Sequence, residues 1–295
     1  MAVMDGTVVA KEYRKKIKYE IDQLRGKDIV PTISPILVGD NPGAKIYYNQ
    51  KEKLAAELNI KFSGFKLPAD SSSEKLLSSI KELNKDRKVH GIFLELPLPG
   101  EFKLANFARE VDPRKDIDCI NPASAGRLVA GGSTVENYES LRDNREILLP
   151  ATPYGVMELL RYYEIELEKK EIVIVGGGST GLPLSLLMLR ESYSTVTICE
   201  YKEERLAEKT RRADVLVAAV GKKNFITRDM VKEGAIVVDI GVNQTDSGIT
   251  GDVEYEKVKE KASYITPVPG GVGPMTTTMI MYNTVKAAKR ISGLD

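Results

Sequence analysis

Short apolar runs alternate with amphipathic stretches along most of the chain, and the period of each stretch separates strand from helix. In the first half, apolar positions at helical spacing predict helices near 8–25, 43–59 and 73–84. Between them the runs ISPILVG, IKFSGFKL and HGIFLEL have strand length. A strand, a helix and another strand in repeated order is the pattern of an α/β fold with parallel strands.

Asp112, Pro113 and the polar stretch that follows to Asn144 break this rhythm. PATPYGVMELLRYY then opens a new helix, with Thr152 expected as its cap and Pro153 at its first position, where a missing N–H costs nothing. The second half repeats the alternation with EIVIVG, TVTICE, DVLVAAVG and AIVVDIG, each ending near glycine or an acid. Ligands of open α/β sheets bind beyond such carboxyl ends. The turn residues there, Val220, Gly221, Gly241, Val242 and Asn243, are therefore candidate ligand contacts. A last short strand and a glycine-rich turn lead into a helix with Pro274 near its start.

The 295 residues are enough for two cores. The boundary is expected near 145, giving domains 1–145 and 146–273, with the terminal helix 274–295 packing back on the first. Lys plus Arg (43) nearly cancels Asp plus Glu (42), so no global field points to nucleic acid or to a membrane surface, and a small-molecule partner is favoured. No apolar run approaches the roughly 20 residues of a spanning helix. The two cysteines, Cys119 and Cys199, and an N-terminus without an apolar core make the cytoplasm the expected location. One histidine, His90, leaves no His-based triad or His-rich metal site, and a surface or strand-edge role is expected for it.

Gly176, Gly178 and Gly181 form GxGxxG directly after IVIV and before the helical LPLSLLMLR. In that context glycine lets the backbone approach a pyrophosphate at a helix N-terminus, so residues 176–181 (Gly176, Gly177, Gly178, Ser179, Thr180, Gly181) are candidate contacts of NAD or NADP in a Rossmann-type domain. Glu200 ends the next strand at close to the spacing of about 20 residues at which an acid accepts the ribose hydroxyls of NAD. An acid there repels the extra phosphate of NADP, although Lys202, beside Tyr201, offers a charge that attracts one.

With the glycine loop placed, six further segments complete a pattern. They are NPGAKIYYNQKEKLAAELNI (41–60), GIFLELPLP (91–99), KDIDCINPASAGRL (115–128), PATPYG (150–155), GDVEYEKV (251–258) and PVPGGVGPMT (267–276). In this order they resemble the methylenetetrahydrofolate dehydrogenase/cyclohydrolase family over nearly the whole chain. The resemblance implies a homodimer, a folate-holding N-terminal domain, a cofactor on the second domain and a reaction in the cleft between them. It also implies that Tyr47 and Lys51 are catalytic, that Asp118 grips the amino-pyrimidine edge of the pterin, and that Leu96, Pro97, Pro269, Gly270 and Gly271 contact substrate.

Tyr47 and Lys51 are four apart on a predicted helix and share a face. Hydride transfer from the bridging methylene carbon needs alignment and no proton acceptor, a task for a stacked Tyr47. Hydrolysis of the methenyl product must move protons, and Lys51 is the candidate for that work.

Three departures from the family matter. Glu95 stands where the family usually has glutamine; a carboxylate pairs with the Lys51 ammonium, so weakened or alkaline-shifted hydrolysis is expected. The glycine loop is shorter and lacks the usual arginine, which together with Glu200 favours NAD over NADP. Cys119 stands where glycine usually follows the aspartate, with no functional account. The competing readings are a dehydrogenase without hydrolase activity and a catalytically silent dinucleotide sensor on the same fold. Retention of both Tyr47 and Lys51 argues against them.

Overall fold

The computed structural model describes residues 1–100, 102–130, 137–191, 194–246 and 248–294. The polar stretch expected between 112 and 144 lies partly outside these residues, as does the last residue of the terminal helix. In chain order the elements begin β1 (Ala2–Val3), α1 (Gly6–Arg25), β2 (Thr32–Val38), α2 (Pro42–Glu57), β3 (Lys61–Phe62) and β4 (Phe65–Leu67). They continue α3 (Ser73–Lys85), β5 (Gly91–Leu94), α4 (Leu104–Ala108), α5 (Pro122–Ala130), α6 (Tyr138–Asp143) and α7 (Ala151–Tyr162). The rest are β6 (Glu171–Val175), α8 (Gly181–Glu191), β7 (Thr195–Cys199), α9 (Leu206–Thr210), β8 (Val215–Ala218) and β9 (Ile236–Asp239). A hairpin of β10 (Asn243–Thr245) and β11 (Gly248–Thr250) precedes α10 (Tyr255–Val258), β12 (Tyr264–Ile265) and α11 (Val272–Ile291).

Two compact units result. One comprises Glu12–Thr134, Leu141–Ala151 and Thr277–Asp295; the other Met1–Lys11, Val135–Ser140 and Thr152–Thr276. The first eleven residues thus fall outside the domain in which a single cut near 145 would place them. The cause is a strand too short to be visible as a pattern: Ala2 and Val3 pair in parallel with Tyr264 and Ile265 and extend the sheet of the second unit.

In the first unit β2 is central and buried at every position, which is why TISPILV reads as a continuous apolar run. It pairs in parallel with β5 and, in one continuous register, with β3 and β4 (Ile33 opposite Phe62, Ile36 opposite Phe65). The single strand expected over IKFSGFKL is therefore interrupted at Ser63 and Gly64. Tyr48 packs there so closely that a Cβ on Gly64 would lie 1.7 Å from its hydroxyl. Beneath the sheet, Ile36, Val38, Leu76, Ile80, Ile92, Leu94 and Phe107 form a buried cluster. Each such side chain contributes roughly 1.5–3 kcal/mol by leaving water.

His90 is buried at the foot of β5, not at the surface. Its Nδ1 accepts the N–H of Thr32 at 3.1 Å, and burial together with the nearby Lys115 ammonium pushes its pKa down to about 4. Lys115 in turn donates to the carbonyls of Leu83, Asn84 and Asp86, closing the C-terminal end of α3.

The second unit carries a six-stranded parallel sheet in the order β1-β12-β9-β8-β6-β7. The order reverses direction at β6 and β8, the kind of switch point where doubly wound sheets bind ligands. Val173, Val175, Leu216, Ala218, Val237 and Ile265 fill the core beside it. Helix α7 begins at Ala151, one residue before the expected cap Thr152, because its first N–H is taken from a distance in sequence by another side chain. Among the described residues no helix is long and apolar enough to cross a membrane.

Candidate functional site

Helix α2 starts where Asn41 accepts the N–H of Ala44 at 3.1 Å and Pro42 occupies the first turn. Its inward face carries Ala44, Tyr48, Lys51, Leu54 and Ala55, so one lysine is drawn into an otherwise apolar row. Lys51 is 3% exposed. Its ammonium lies 2.8 Å from Glu95 Oε2, 4.3 Å from the centroid of the Phe93 ring and 5.8 Å from that of Tyr47. A cation over two ring faces is favoured by their quadrupoles, most strongly where water is excluded.

Glu95 follows β5 directly, and its backbone N–H continues the ladder by donating to Ile36 O at 2.9 Å. The side chain is 2% exposed. Burial raises its pKa, and the Lys51 charge and hydrogen bond oppose that rise. Oε1 of the same carboxylate is buried without a hydrogen-bond partner among the described residues. Leu96 and Pro97 come next, joined by a cis peptide and both exposed.

Asp118 belongs to the same charge cluster. Its Oδ1 accepts the N–H of Ala151 at 3.0 Å, and so it caps α7 rather than the turn that follows it in sequence. Although the residue keeps a partly exposed surface, its carboxyl is pushed up to about 7, chiefly by burial. The Ala151 N–H and Lys51 act against that rise, while Asp116 and Glu95 add to it. Tyr47 and Tyr48 are also raised by burial, Tyr48 to about 12 with help from Glu52 and Glu95. Cys119 adopts φ +56°, a left-handed conformation that glycine reaches without strain.

In the second unit the glycine loop leaves β6 at Gly176, with φ +107°. A Cβ on Gly176 would lie 2.2 Å from Ala219 O, and one on Gly181 would lie 1.9 Å from Gly176 O. Gly178, Ser179, Thr180 and Gly181 line a cavity of about 200 Å³ together with Ala219, Gly221, Ile240, Gly241 and Val242. Glycine, exposed N–H groups and a following helix suit a phosphate-bearing ligand. Glu200 directly follows β7 beside this loop: a Cβ on Gly177 would meet its Oε1 at 2.7 Å. Tyr201 carries Lys222 over its ring, Nζ 3.6 Å from the centroid, with Lys202 farther off at 5.7 Å.

Val220 and Asn243 have a different job from direct lining. The carboxylate of Asp252 accepts the N–H groups of Val220, Gly221 and Lys222 at 2.6–2.8 Å and the side chain of Asn243 at 2.8 Å. Asp239 accepts the N–H groups of Gly241, Asp252 and Val253, and burial pushes its carboxyl up to about 7. Sequence reasoning missed both acids and Phe93. An acid inside the apolar run AIVVDIG was the available signal for Asp239.

Pro269, Gly270 and Gly271 form a turn that begins with a cis peptide, with Gly270 at φ +109°. Gly270 O accepts the N–H of Thr7 at 3.2 Å, and a Cβ on Gly6 would lie 1.8 Å from Gly271 O. The structure thus gathers Tyr47, Lys51, Glu95 and Asp118 in the first unit. The glycine loop, Gly221, Gly241, Val242 and the 269–271 turn belong to the second.

Comparison with known proteins finds two matches to family descriptions. Residues 4–118 match the tetrahydrofolate dehydrogenase/cyclohydrolase catalytic domain, and residues 150–292 match the NAD(P)-binding domain of the same name. The chain is 44% identical over 292 residues to the bifunctional protein FolD of a Sulfurihydrogenibium species, covering 98% of each. Its structure resembles the bifunctional methylenetetrahydrofolate dehydrogenase/cyclohydrolase of Campylobacter jejuni (TM-score 0.91, 40% identity, 98% of this chain and 99% of that one). It also resembles the Trypanosoma brucei enzyme complexed with NADP and an inhibitor (TM-score 0.89, 32% identity, 98% of each chain).

Proposed function

This chain belongs to the tetrahydrofolate dehydrogenase/cyclohydrolase family, and from that premise we propose how its own residues divide the work. The protein oxidises methylenetetrahydrofolate to the methenyl form with a nicotinamide dinucleotide and hydrolyses the methenyl form to 10-formyltetrahydrofolate. The observation that supports the residue assignment best is the Lys51–Glu95 contact at 2.8 Å, buried against Phe93 and Tyr47 and electrostatically coupled to Asp118.

In the oxidation, Tyr47 and the exposed Leu96–Pro97 step hold the folate so that the reacting carbon is presented in one orientation. Asp118 accepts from the adjacent N–H donors of the pterin edge, which suit an ionised carboxylate. The dinucleotide, when bound, accepts the hydride. Residues 176–181 hold its phosphates, with Gly221, Gly241 and Val242 against the rest; Val220 and Asn243, braced by Asp252, keep those loops in place. In the hydrolysis, Lys51, hydrogen-bonded to Glu95, is suited to protonating the leaving nitrogen.

NAD is the cofactor this reading favours. The Glu200 carboxylate stands against the glycine loop, where a ribose hydroxyl donates to it and an added phosphate is repelled. Lys222, the closer of the two cations to Tyr201, is engaged on its ring. A homodimer in the cytoplasm goes with the same reading, and analytical ultracentrifugation checks the dimer.

The test is to follow methenyl formation and decay with NAD and with NADP in parallel. NAD-dependent formation followed by enzyme-catalysed decay is expected. An equal or higher kcat/KM with NADP would sink the cofactor assignment, and binding of NAD without turnover would favour the silent sensor.

A further inference from the structure

Glu95 is tied down through one oxygen only. Oε2 accepts from Lys51 Nζ at 2.8 Å, whereas Oε1 is buried and has no donor among the described residues. Leaving a buried acceptor unmade costs on the order of 1–3 kcal/mol, and more where it is charged. Buried polar atoms are so regularly satisfied that an exception in a catalytic cluster points to a group that arrives with the substrate. The carboxylate is also well positioned, because the Glu95 backbone continues the β5 ladder onto Ile36 and Lys51 fixes the other oxygen.

The lysine, by contrast, is committed. An ammonium paired with a buried carboxylate has three N–H donors and no lone pair, so it can give a proton but cannot take one. Hydrolysis requires both events.

We infer that Glu95 is the general base of the hydrolytic reaction in this enzyme, its Oε1 accepting the proton of the attacking water while Lys51 acts as the acid. This rests on the bifunctional reading above. In the first step the water oxygen bonds to the methenyl carbon, the carbon–nitrogen π pair returns to nitrogen, and one water proton passes to Oε1. In the second step the bond from that carbon to the ring nitrogen breaks as Lys51 protonates the nitrogen. The hydroxyl proton returns to Lys51 as the formyl carbonyl forms. The proton on Glu95 is then released to solvent, which is the one proton that hydrolysis of the cation liberates. Burial strengthens the base, since a carboxyl raised above its ordinary range binds a proton more readily.

A glutamine at this position keeps the acceptor for Lys51 but cannot take a proton. The two accounts of Glu95 therefore predict opposite signs. If the carboxylate merely restrains a basic lysine, Glu95→Gln speeds hydrolysis; if Glu95 is the base, the same change slows it.

The experiment measures methenyl decay and NAD-dependent methenyl formation on the same preparations of full-length wild type, Glu95→Gln and Glu95→Asp. Expected for Glu95→Gln is a fall in the ratio of hydrolysis to oxidation by about 10²-fold, the lower end of general-base contributions. The loss lies in kcat rather than KM. Wild-type kcat rises with pH on the acid side as Glu95 loses its proton; Glu95→Asp keeps that limb at reduced rate, and Glu95→Gln lacks it. Among the described residues, the titratable groups that interact with Glu95 include Lys51 and Tyr48 from α2 and Asp118 from the loop before α5. Asp118 acts on substrate binding, so its titration moves KM. Should Glu95→Gln fail to fold, the wild-type and Glu95→Asp profiles decide. Hydrolysis by Glu95→Gln at or above the wild-type rate, or a wild-type kcat that keeps rising into the lysine range, overturns the assignment alone. Wild type that oxidises but never hydrolyses overturns the bifunctional reading and the assignment with it.

Discussion

The backbone N–H of Asp252 donates to the carboxylate of Asp239 at 3.0 Å, and this contact joins the end of β9 to the loops around the cavity beside the glycine loop. Asp239 seats Asp252; Asp252 then gathers three successive N–H groups from residues 220–222 and the amide of Asn243. Both acids forbid a side chain opposite them: a Cβ on Gly241 would lie 2.1 Å from Asp252, and one on Gly251 would lie 1.9 Å from Asp239. Replacing Asp252 by asparagine keeps the shape but turns one acceptor oxygen into a donor. Stability is expected to fall by about 2–3 kcal/mol, read from urea denaturation, with weaker NAD binding by calorimetry. Unchanged cofactor affinity would show that the loops hold their conformation without this brace.

Gly181→Ala probes the glycine loop from the other side. The new methyl would lie 1.9 Å from the carbonyl oxygen of Gly176, which belongs to backbone and cannot swing aside. Overpacking of this kind costs about 1–3 kcal/mol, and here it displaces the loop proposed to hold the phosphates. A loss of NAD affinity greater than about tenfold, or roughly 1.4 kcal/mol, is expected in a titration.

Asp118 ties substrate binding to pH. Its carboxyl is pushed up to about 7, above the ordinary aspartate range, chiefly by burial, and in the function proposed above it is the ionised form that accepts from the pterin. As pH falls through 7 the carboxyl gains a proton and loses that capacity, so KM for the folate substrate should rise. Asp118→Asn should show a high KM that no longer follows pH over this window. In the free protein the sign for stability is reversed. A folded pKa raised above the unfolded value means that this group's contribution is fully present below the ordinary aspartate range and is lost as pH rises through about 7.

Cys119 sits at φ +56°, where a β-branched residue is strained. Cys119→Val should destabilise the protein by about 2 kcal/mol. Cys119→Gly should stay within about 1 kcal/mol of wild type, because relief of strain is offset by the greater freedom of glycine in the unfolded chain. Thermal or urea denaturation of the two variants checks the contrast.

Much of this protein follows from the order of its residues alone. A continuous apolar run such as TISPILV must become a strand buried on both faces, and helix-period stretches on either side must cover it. Glycines between the IVIV strand and a helical run were legible as a tight strand-to-helix turn because backbone conformation is a local property. Tyr47 and Lys51 could be placed on one face by spacing, and the motifs around them carried the family.

What spacing could not reveal is which distant groups meet. That Glu95 touches Lys51 through one oxygen, with no donor to the other among the described residues, depends on β5 lying beside β2 and on the inward face of α2. Ala2 and Val3 join a strand more than 260 positions away because that edge of the sheet is open there, and nothing in two residues announces it. Asp118 caps a helix that begins at Ala151, so the expected local cap at Thr152 was not needed. His90 was expected at the surface or at a strand edge; it lies at the edge of β5 but buried, because the Thr32 N–H needed an acceptor there and burial keeps the ring neutral enough to be one. Local propensity decided the elements; desolvation and the need to satisfy buried donors decided which residues faced one another.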